Sequence, residues 1–378
     1  MGTEGPRTVL VSGLFLRRPA AGVQRFAREM LCALQRAGPT RPRIVLAAPI
    51  GRRVARLESE RIAAEAAPLA GEVILDRSSL PAPLWTQIRL PVIFRRLGAD
   101  LLWSPSNVGP LSVRRQVVTI FDASFLERPE WFSRAFSLYY RVLLPRLARR
   151  AARVTTVSCF SREELARRGV VPAGAIDVVP CGVSSAFHPD ADSAEWTSRM
   201  PYVLTVGSRD PRKNLAALLR AWELLPRSIA SSHRLLAAGA DSSAFARESL
   251  GRIPDRVELL GYVPERSLPG LYAGAAAFVY PSLYEGFGLP PLEAMASGTP
   301  VLVSRAASLP EVCGGAALYL DPDDPRSIAD GLEAILQDPE LRVRLRAAGL
   351  ERAAAFTWEG AAKTLLGVFE TVLPERMG

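Results

Sequence analysis

Short apolar runs alternate with segments of helical periodicity along the whole chain, a pattern typical of parallel sheets covered by helices. In the first half the runs predict strands at residues 8–12, 43–48, 72–75, 101–103, 116–120, 154–157 and 176–179. In the second half they predict strands at residues 202–206, 234–238, 257–259, 277–280, 300–304 and 317–320. The clearest helical patterns cover residues 23–37, 133–152, 325–336 and 358–372. The predicted fold class is therefore α/β.

A polar, proline-punctuated segment at residues 188–201 separates the two patterns and marks a domain boundary. We expect one domain over residues 1–195, a second over 196–357, and a final helix within 358–378 that packs back on the first. The chain has 378 residues, 48% of them hydrophobic, which is enough for a hydrophobic core in each of the two domains. Ligands of parallel sheets bind beyond the carboxyl ends of the strands, so chemistry is expected in the loops that follow strands.

The charge is unevenly distributed along the chain. Residues 1–195 carry 28 Lys and Arg against 17 Asp and Glu, whereas the remainder carries 19 against 21. The N-terminal half is therefore expected to face an anionic partner, such as a membrane surface, a nucleic acid or an acidic glycan. Within it, residues 131–153 interleave aromatic and arginine side chains. A helix lying on an anionic bilayer and an ordinary domain helix with a solvated basic side are both consistent with this segment.

Several classes of protein are disfavoured by the sequence. No run approaches the 18 or so apolar residues of a membrane-spanning helix, and the first apolar run predicts a strand instead of a secretion signal, which favours a cytoplasmic protein. Four scattered cysteines without a CxxC pair favour buried reduced thiols over a zinc site or disulfides. The DxD triplet Asp321 to Asp323 precedes a helix, which Asp323 or Asp324 is predicted to cap. Neither a GxGxxG nor a Walker pattern occurs.

The most informative segment is PSLYEGFGLPPLEAMASGTP at residues 281–300, which leaves a strand and enters a helix. Prolines 290 and 291 fit the first helical turn, which would also contain Glu293. Gly286 and Gly288 allow close approach of the backbone, and the N–H groups of Phe287, Gly288 and Leu289 at a helix start form an anion site.

Glu285 and Glu293 could accept hydrogen bonds from hydroxyl groups on either side of a bound phosphate. A sugar nucleotide has hydroxyl groups in both places. A purely structural role for the glycines and for Glu293 is the alternative.

A second loop, GSRDPRKN at residues 207–214, also follows a strand and precedes a helix. Arg209 and Lys213 could together neutralise a diphosphate leaving group without a metal. A solvated charged turn is the alternative.

The two loops together resemble the retaining glycosyltransferases of family 4, which have the GT-B fold. The resemblance rests on the E-x7-E pattern from Glu285 to Glu293 within EGFGLPPLEAMASGTPV, and on Arg209 and Lys213 within GSRDPRKN. It covers most of the chain. It implies two Rossmann-like domains whose parallel sheets face a central cleft, and hexosyl transfer from a nucleoside diphosphate sugar with no metal or other cofactor.

The resemblance also implies roles for individual residues. Arg209 and Lys213 would hold the diphosphate, Glu293 the ribose, and Glu285 the donor sugar. The catalytic set implied is Asp122, Glu285, Arg209 and Lys213. The donor-binding set implied is Gly22, Gly207, Arg209, Lys213, Gly261, Tyr262, Val263, Glu285, Gly286, Phe287, Gly288, Leu289 and Glu293. Within this set, GYVP at residues 261–264 resembles the turn that binds the base, and Gly22 lies in the first-domain loop near the phosphate and the acceptor.

The sequence departs from the family beside Asp122. Many relatives have His-Asp after this strand, whereas this chain has Phe121-Asp122. Stacking on an apolar face of a deoxysugar or acceptor is one role for Phe121. The two histidines of the chain, His188 and His233, fit a turn and a strand flank. In family 4 the leaving phosphate is usually described as deprotonating the acceptor, so the loss of this histidine need not abolish activity.

The expected activity is hexosyl transfer, with mannose from GDP-mannose as the first choice, to a growing surface polysaccharide such as lipopolysaccharide, free or lipid-linked. The expected partners are the nucleotide-sugar donor, a glycan or polyprenyl-linked glycan acceptor and an anionic membrane surface, with the protein peripheral on its inner face. Nucleic acid is not expected. A noncatalytic partner with the same fold and a polyanion-binding protein are the alternatives.

Overall fold

The computed structural model describes residues 7–17, 22–38, 41–50, 56–197, 200–239 and 250–373, without the side chains of 56–59. The chain forms two compact units. The first comprises Met1–Ala123, Tyr139–Gly182 and Trp358–Gly378, and the second comprises Ser124–Leu138 and Val183–Thr357. Residues 183–195, which the sequence assigned to the first domain, therefore group with the second unit.

The first unit is built on a seven-stranded parallel sheet with the strand order β3-β2-β1-β4-β5-β6-β7. Its strands are β1 (Thr8–Ser12), β2 (Arg43–Pro49), β3 (Glu72–Asp76), β4 (Leu101–Ser104), β5 (Gln116–Thr119), β6 (Arg153–Thr156) and β7 (Ile176–Val178). In register, Val9 of β1 pairs with Ile44 on one side and Leu101 on the other. The strands are apolar because helices cover both faces of such a sheet.

The α-helices of the first half are α1 (Gly22–Arg36), α2 (Arg56–Ala66), α3 (Ala82–Leu84), α4 (Leu90–Leu97), α5 (Ser124–Glu127), α6 (Arg134–Arg150) and α7 (Cys159–Arg167). A π-helical turn, Trp85–Arg89, joins α3 to α4. Helix α6 is continuous through Pro145. None of the helices in the described part of the chain is long and apolar enough to cross a membrane.

Asp76, at the end of β3, ties the segment after it to the sheet. Its carboxylate accepts hydrogen bonds from the Trp85 indole at 2.9 Å and from Arg89 Nη2 at 2.7 Å. Burial alone would raise the pKa of Asp76, but its hydrogen bonds with Arg89, Ser78 and Trp85, together with the charge of Arg89, outweigh burial and lower it.

The second unit is built on a six-stranded parallel sheet with the order β10-β9-β8-β11-β12-β13. Its strands are β8 (Tyr202–Val206), β9 (Arg234–Ala238), β10 (Val257–Gly261), β11 (Ala277–Tyr280), β12 (Val301–Ser304) and β13 (Leu318–Leu320). Both sheets are doubly wound, and the order of the strands reverses between β8 and β11. The loops after these two strands therefore border the crevice where ligands of such sheets bind.

The α-helices of the second half are α8 (Ala194–Thr197), α9 (Leu215–Leu224), α10 (Arg227–Ser232), α11 (Leu268–Ala273), α12 (Leu289–Ala296), α13 (Leu309–Cys313), α14 (Pro325–Gln337), α15 (Pro339–Ala354) and α16 (Trp358–Val372). Helix α16 belongs to the first unit, where Trp358 packs edge-to-face on Phe26 of α1 with ring centroids 5.9 Å apart. Asp324 caps α14 by accepting from the N–H of Arg326, which confirms the predicted cap.

None of the four cysteines forms a disulfide bond. Cys181 and Cys313 are buried and Cys32 is half-buried, but Cys159 is exposed. The expectation of buried thiols is therefore wrong for Cys159, because this residue begins α7 on the surface of the unit.

Candidate active site

The loop after β8 is organised around Asp210, a fully buried carboxylate. Asp210 begins the 3-10 turn Pro211–Lys213 and accepts from the backbone N–H of Arg212 at 3.0 Å and from its Nε at 3.1 Å. Burial would raise the pKa of Asp210, but the charges of Arg212 and Lys213 and the hydrogen bonds from Arg212 and Ser208 lower it below its ordinary value. The buried, ionised carboxylate of Asp210 thus holds the conformation of the loop that carries Arg209 and Lys213.

Two glycines bring the backbone at the ends of β8 and β9 into direct contact. Gly239 has φ +150°, and a Cβ at this position would lie 1.7 Å from the carbonyl oxygen of Gly207. Only glycine satisfies both constraints. Beside this contact lies a small cavity whose lining includes Gly207, Arg209, Lys213, Gly239 and Gly261.

Lys213 and Glu285 meet directly at this edge of the sheet. The Lys213 Nζ donates to Glu285 Oε1 at 2.6 Å and to the Tyr280 hydroxyl at 2.6 Å. Tyr280 is the last residue of β11, so the pair joins the loops on either side of the topological switch point. The Lys213 and Glu285 side chains are only 17% and 12% exposed, which limits screening of their attraction by water.

The hydrogen bonds to the Glu285 carboxylate all go to one of its two oxygens. Oε1 accepts from Lys213, from the Tyr280 hydroxyl at 2.9 Å and from the Ser282 hydroxyl at 2.5 Å. Oε2 accepts no hydrogen bond from the residues that the structure describes. Burial, together with the charge of Glu285 and the hydrogen bond to it, raises the pKa of Tyr280 well above its ordinary value, so its hydroxyl stays protonated.

The loop from Glu285 to Gly288 delivers backbone donors to the start of α12. Ser308 holds it by donating to the carbonyl oxygens of Glu285 and Phe287 at 2.9 and 2.7 Å. Gly288 has φ +113° and is the N-cap residue that immediately precedes the helix. A Cβ at this position would lie 2.8 Å from Leu309 Cδ2. The first N–H groups of a helix lack intrahelical acceptors, and the prolines at 290 and 291 carry no N–H. The backbone donors at this end are therefore those of Phe287, Gly288 and Leu289.

The sequence predicted Glu293 in the first turn of α12, but the structure places it later in the helix. Because Gly288 is outside the helix and Leu289 is its first residue, Glu293 is fifth and falls in the second turn. Its side chain is 2% exposed, and Oε2 accepts from the Tyr272 hydroxyl at 3.0 Å. Glu293 is thus a buried, oriented carboxylate, and not a group that complements the helix dipole from the first turn.

The turn predicted to bind a base follows β10. Gly261 ends the strand with φ +66°, and its carbonyl accepts from the N–H of Gly239 at 2.7 Å. Tyr262 next to it is 59% exposed, whereas Val263 is buried. Tyr262 is therefore an exposed aromatic residue next in the chain to Gly261, which lines the cavity.

The first unit contains the other predicted site residues. Gly22 is the first residue of α1, while residues 18–21 of its loop lie outside the described residues. Asp122 is half-buried after β5. Phe121 is only 8% exposed, and its ring packs edge-to-face on Phe26 with centroids 5.1 Å apart. The stacking role expected for Phe121 is therefore wrong, because its ring belongs to the core of the unit.

Neither histidine enters the candidate site. His188 is exposed, and its carbonyl closes a turn by accepting from the N–H of Ala191 at 3.2 Å, as predicted. His233 immediately precedes β9. Within the described ranges, no three His, Cys, Asp or Glu side chains are grouped so that they could hold a metal ion.

Sequence reasoning missed the residues that orient the two glutamates. These are Tyr280 and Ser282 around Glu285, and Tyr272 at Glu293. The packing of Gly239 against the Gly207 loop was missed as well. Only Tyr280 carried a usable signal, because it ends a predicted strand immediately before the motif. The remaining contacts depend on how distant segments fold together.

Family models match both halves of the chain. The model described as Glycosyltransferase Family 4 matches residues 20–187, and the one described as Glycosyl transferases group 1 matches residues 190–352. O-antigen chain mannosyltransferase B of Escherichia coli is 35% identical over 280 residues, covering 70% of this chain and 73% of that protein. O-antigen chain mannosyltransferase RfbU of Salmonella typhimurium is 30% identical over 261 residues, covering 68% and 70%.

Solved structures show the same fold. The sucrose-phosphate synthase of Thermosynechococcus elongatus superposes with a TM-score of 0.74 at 22% identity, covering 97% of this chain and 99% of that one. HepE of Anabaena, in complex with UDP and glucose, gives a TM-score of 0.73 at 16% identity over 97% of this chain and 100% of its own.

Two doubly wound parallel sheets, together with the likeness to these solved structures, show the GT-B fold. The chain belongs to glycosyltransferase family 4, the glycosyl transferases group 1. It is a hexosyltransferase, and the resemblance drawn from its motifs is confirmed.

Proposed function

We propose that the protein is a retaining glycosyltransferase that moves a hexose from a nucleoside diphosphate sugar onto a surface polysaccharide under assembly. The acceptor class is supported by the two relatives named as O-antigen chain mannosyltransferases. The observation that carries the donor site is the Lys213–Glu285 pair at 2.6 Å beside the glycine-lined cavity. An ammonium group and backbone N–H donors suit a diphosphate, and carboxylates suit sugar hydroxyls.

Each site residue then has a task in holding the donor. Lys213 and Arg209 would bind the diphosphate, with the N–H groups of Phe287, Gly288 and Leu289 as further donors. Glu285 Oε2 would accept from a hydroxyl of the donor sugar, because Oε1 is already engaged by three protein donors. Glu293 would accept from the ribose.

The proposed chemistry breaks the bond between the anomeric carbon and the diphosphate oxygen and forms a bond from the acceptor oxygen on the same face. The acceptor proton passes to the leaving diphosphate, so no histidine base is needed at the position of Phe121. The charge that develops on the leaving group is stabilised by Lys213 and Arg209. Two cations at the diphosphate are the reason for proposing that transfer needs no metal or other cofactor.

We propose GDP-mannose as the donor, on the strength of the mannosyltransferase relatives. A thermal-shift screen with GDP, UDP, ADP and dTDP, in EDTA and in Mg²⁺, tests the donor without an acceptor. A ligand that binds the native state raises its apparent stability. GDP is expected to raise Tm most, and equally in EDTA and Mg²⁺. Stabilisation by another diphosphate would reject GDP-mannose, and stabilisation only with Mg²⁺ would reject metal independence.

Site variants test the assignment of individual residues. Lys213→Ala is expected to lower the rate of nucleoside diphosphate release about 100-fold, the usual effect of removing one charge-stabilising donor. Lys363→Ala is the matched control, since Lys363 is the other lysine of the chain and lies exposed on α16. Glu293→Gln is expected to raise the donor KM about 10-fold through weaker ribose binding. Wild-type kinetics in both site variants would reject the proposed donor site.

We also propose that the protein works at an anionic membrane surface, on a glycan carried by a polyprenyl lipid. The support is the excess of basic residues in the first 195 positions, 28 against 17 acidic ones. Binding of the wild-type protein to vesicles that contain phosphatidylglycerol, and not to vesicles of phosphatidylcholine alone, is the expected result.

A further inference from the structure

Three arginines near the end of α6 open onto one surface pocket. Arg146, Arg149 and Arg150 line it together with Leu111 and Ser112 of the loop between β4 and β5. Their spacing of three and four residues places them on the same face of the helix. Arg150 Nη1 lies 3.5 Å from the Leu111 carbonyl oxygen, and Arg146 Nη1 donates to the Val142 carbonyl oxygen at 2.7 Å. The guanidinium groups of Arg146 and Arg150 are therefore directed by neutral acceptors.

These three arginines form a cluster of like charge. None of them forms an ion pair with a described residue, whereas nearby arginines in structural roles do: Arg153 binds Asp177 and Arg89 binds Asp76, each at 2.7 Å. The sequence supplies no Asp or Glu anywhere in residues 101–121 or 131–162. Like charges one helical turn apart repel, so an anion in the pocket would relieve this repulsion.

Exposed aliphatic side chains lie on α6 itself and on the segment that is hydrogen-bonded to the pocket loop. Val142 is one turn before Arg146 and is 46% exposed. Leu84 and Ile88 are 47% and 50% exposed. The side chain of Gln87 ties their segment to the pocket loop, because it accepts from the Leu111 N–H and donates to the Gly109 carbonyl oxygen, both at 3.0 Å. The segments that carry the basic and the aliphatic groups thus meet at the loop between β4 and β5.

We propose that this surface, formed by Leu84, Ile88, Val142, Arg146, Arg149 and Arg150 and called here the α6 face, docks on a bilayer that contains anionic phospholipid. The arginines bind lipid phosphates in the pocket, and the aliphatic side chains enter the interface between headgroups and acyl chains. The proposal rests on the membrane association proposed above and assigns it to one surface. A nucleic acid would use the arginines, but it offers the aliphatic side chains of the α6 face no apolar medium to enter.

The test compares two triple variants of equal charge. Arg146→Gln/Arg149→Gln/Arg150→Gln removes the pocket cations, and Arg220→Gln/Arg227→Gln/Arg344→Gln removes three exposed arginines of the second unit. Both are titrated with vesicles of equal parts phosphatidylglycerol and phosphatidylcholine in a sedimentation assay. Each basic residue at an anionic surface contributes roughly a factor of five, so the pocket variant should bind about 100-fold more weakly than wild type. The control variant should bind like wild type, and equal losses in both variants would overturn the proposal.

Two further arms separate the lipid from other anions. Leu84→Ser/Ile88→Ser should weaken vesicle binding while leaving the arginines intact. If vesicle binding ignores these substitutions, or if inorganic phosphate or a single-stranded oligonucleotide binds through the three arginines while vesicles do not, the α6 face is not a membrane-docking surface. The GDP-induced shift in Tm is measured on every variant, because the donor cavity lies in the second unit. Failure of vesicle binding with an intact GDP response rejects the docking surface alone, and the reverse result rejects the donor proposal alone.

Discussion

Replacing Tyr280 with Phe removes one hydroxyl from the centre of the candidate site and leaves the ring in place. The hydroxyl accepts from Lys213 Nζ at 2.6 Å and donates to Glu285 Oε1 at 2.9 Å. The ring itself lies against the lysine, with Nζ 5.1 Å from its centroid, and packs on Phe278. The substitution therefore tests whether the hydroxyl orients the Lys213–Glu285 pair for donor use.

The size of the effect follows from the contacts that remain. A hydrogen bond to a charged group contributes about 1.5–3 kcal/mol. Lys213 and Glu285 keep their direct contact at 2.6 Å, and Ser282 still donates to Glu285, so the lower end applies. About 1.5 kcal/mol of transition-state stabilisation corresponds to roughly a 10-fold fall in kcat/KM. Because the Tyr280 pKa is raised, the hydroxyl stays protonated and the fall should be constant from neutral pH to mildly alkaline pH.

The assay is release of nucleoside diphosphate from the donor that the thermal-shift screen selects, with Tyr202→Phe as the matched control. Tyr202 is equally buried in the neighbouring strand β8 and donates to the Leu271 carbonyl oxygen at 2.7 Å. Both variants should lose about 1 kcal/mol of unfolding free energy, but only Tyr280→Phe should lose activity. A change in kcat/KM of less than about two-fold for Tyr280→Phe, or an equal fall for Tyr202→Phe, would refute the orienting role.

Further predictions concern the scaffold. Gly239→Ala should cost about 3 kcal/mol or more in urea unfolding, because its Cβ would collide with the Gly207 carbonyl, whereas Gly71→Ala, with no atom within 4 Å of the added carbon, should be neutral or slightly stabilising. Asp76 has a lowered pKa in the folded protein, so its contribution is complete above the unfolded pKa of about 3.9 and is lost as the pH falls further. Asp76→Asn should therefore lower Tm at pH 7 and flatten the acid limb of a Tm–pH profile; an unchanged limb would contradict this. Asp324→Ala should cost about 1 kcal/mol through loss of the α14 cap and leave donor kinetics unchanged, and a loss of turnover at full stability would contradict a purely structural role for this aspartate.

The strands could be predicted from the sequence because central parallel strands are buried on both faces and are therefore continuously apolar. Four of them, β1, β8, β9 and β11, have the predicted bounds, and most others differ by one residue at an end. β10 extends two residues beyond its predicted end, to Gly261. Its pairing with β9 continues to Gly261 because the register shifts between Leu259 and Gly261. Apolar periodicity contains no signal for such an irregularity, since it depends on pairing with the neighbouring strand.

The position of Glu293 within α12 could not be read from the E-x7-E spacing. Two consecutive prolines fit more than one helix start, and the start was decided by the positive φ of Gly288, which leaves Leu289 as the first helical residue. A shift of one residue changes which face of the helix a side chain occupies by about 100°. The burial of Glu293 and its contact with Tyr272 follow from this start, and no local pattern specifies it.

The network at Glu285 joins residues 67 and 72 positions apart in the chain, Lys213 to Tyr280 and Lys213 to Glu285. The order of the strands accounts for their meeting, because β8 and β11 are neighbours and their carboxyl ends open on the same edge. Sequence analysis placed both loops at strand ends but had no means of ordering the strands. The resulting pair also changes the energetics expected of the site: before a donor binds, Lys213 is already neutralised by Glu285. A diphosphate would therefore not meet an unpaired lysine, because Lys213 must first leave Glu285. We expect the affinity for the donor to depend on Glu285 accepting a hydrogen bond from a sugar hydroxyl when Lys213 binds the phosphate.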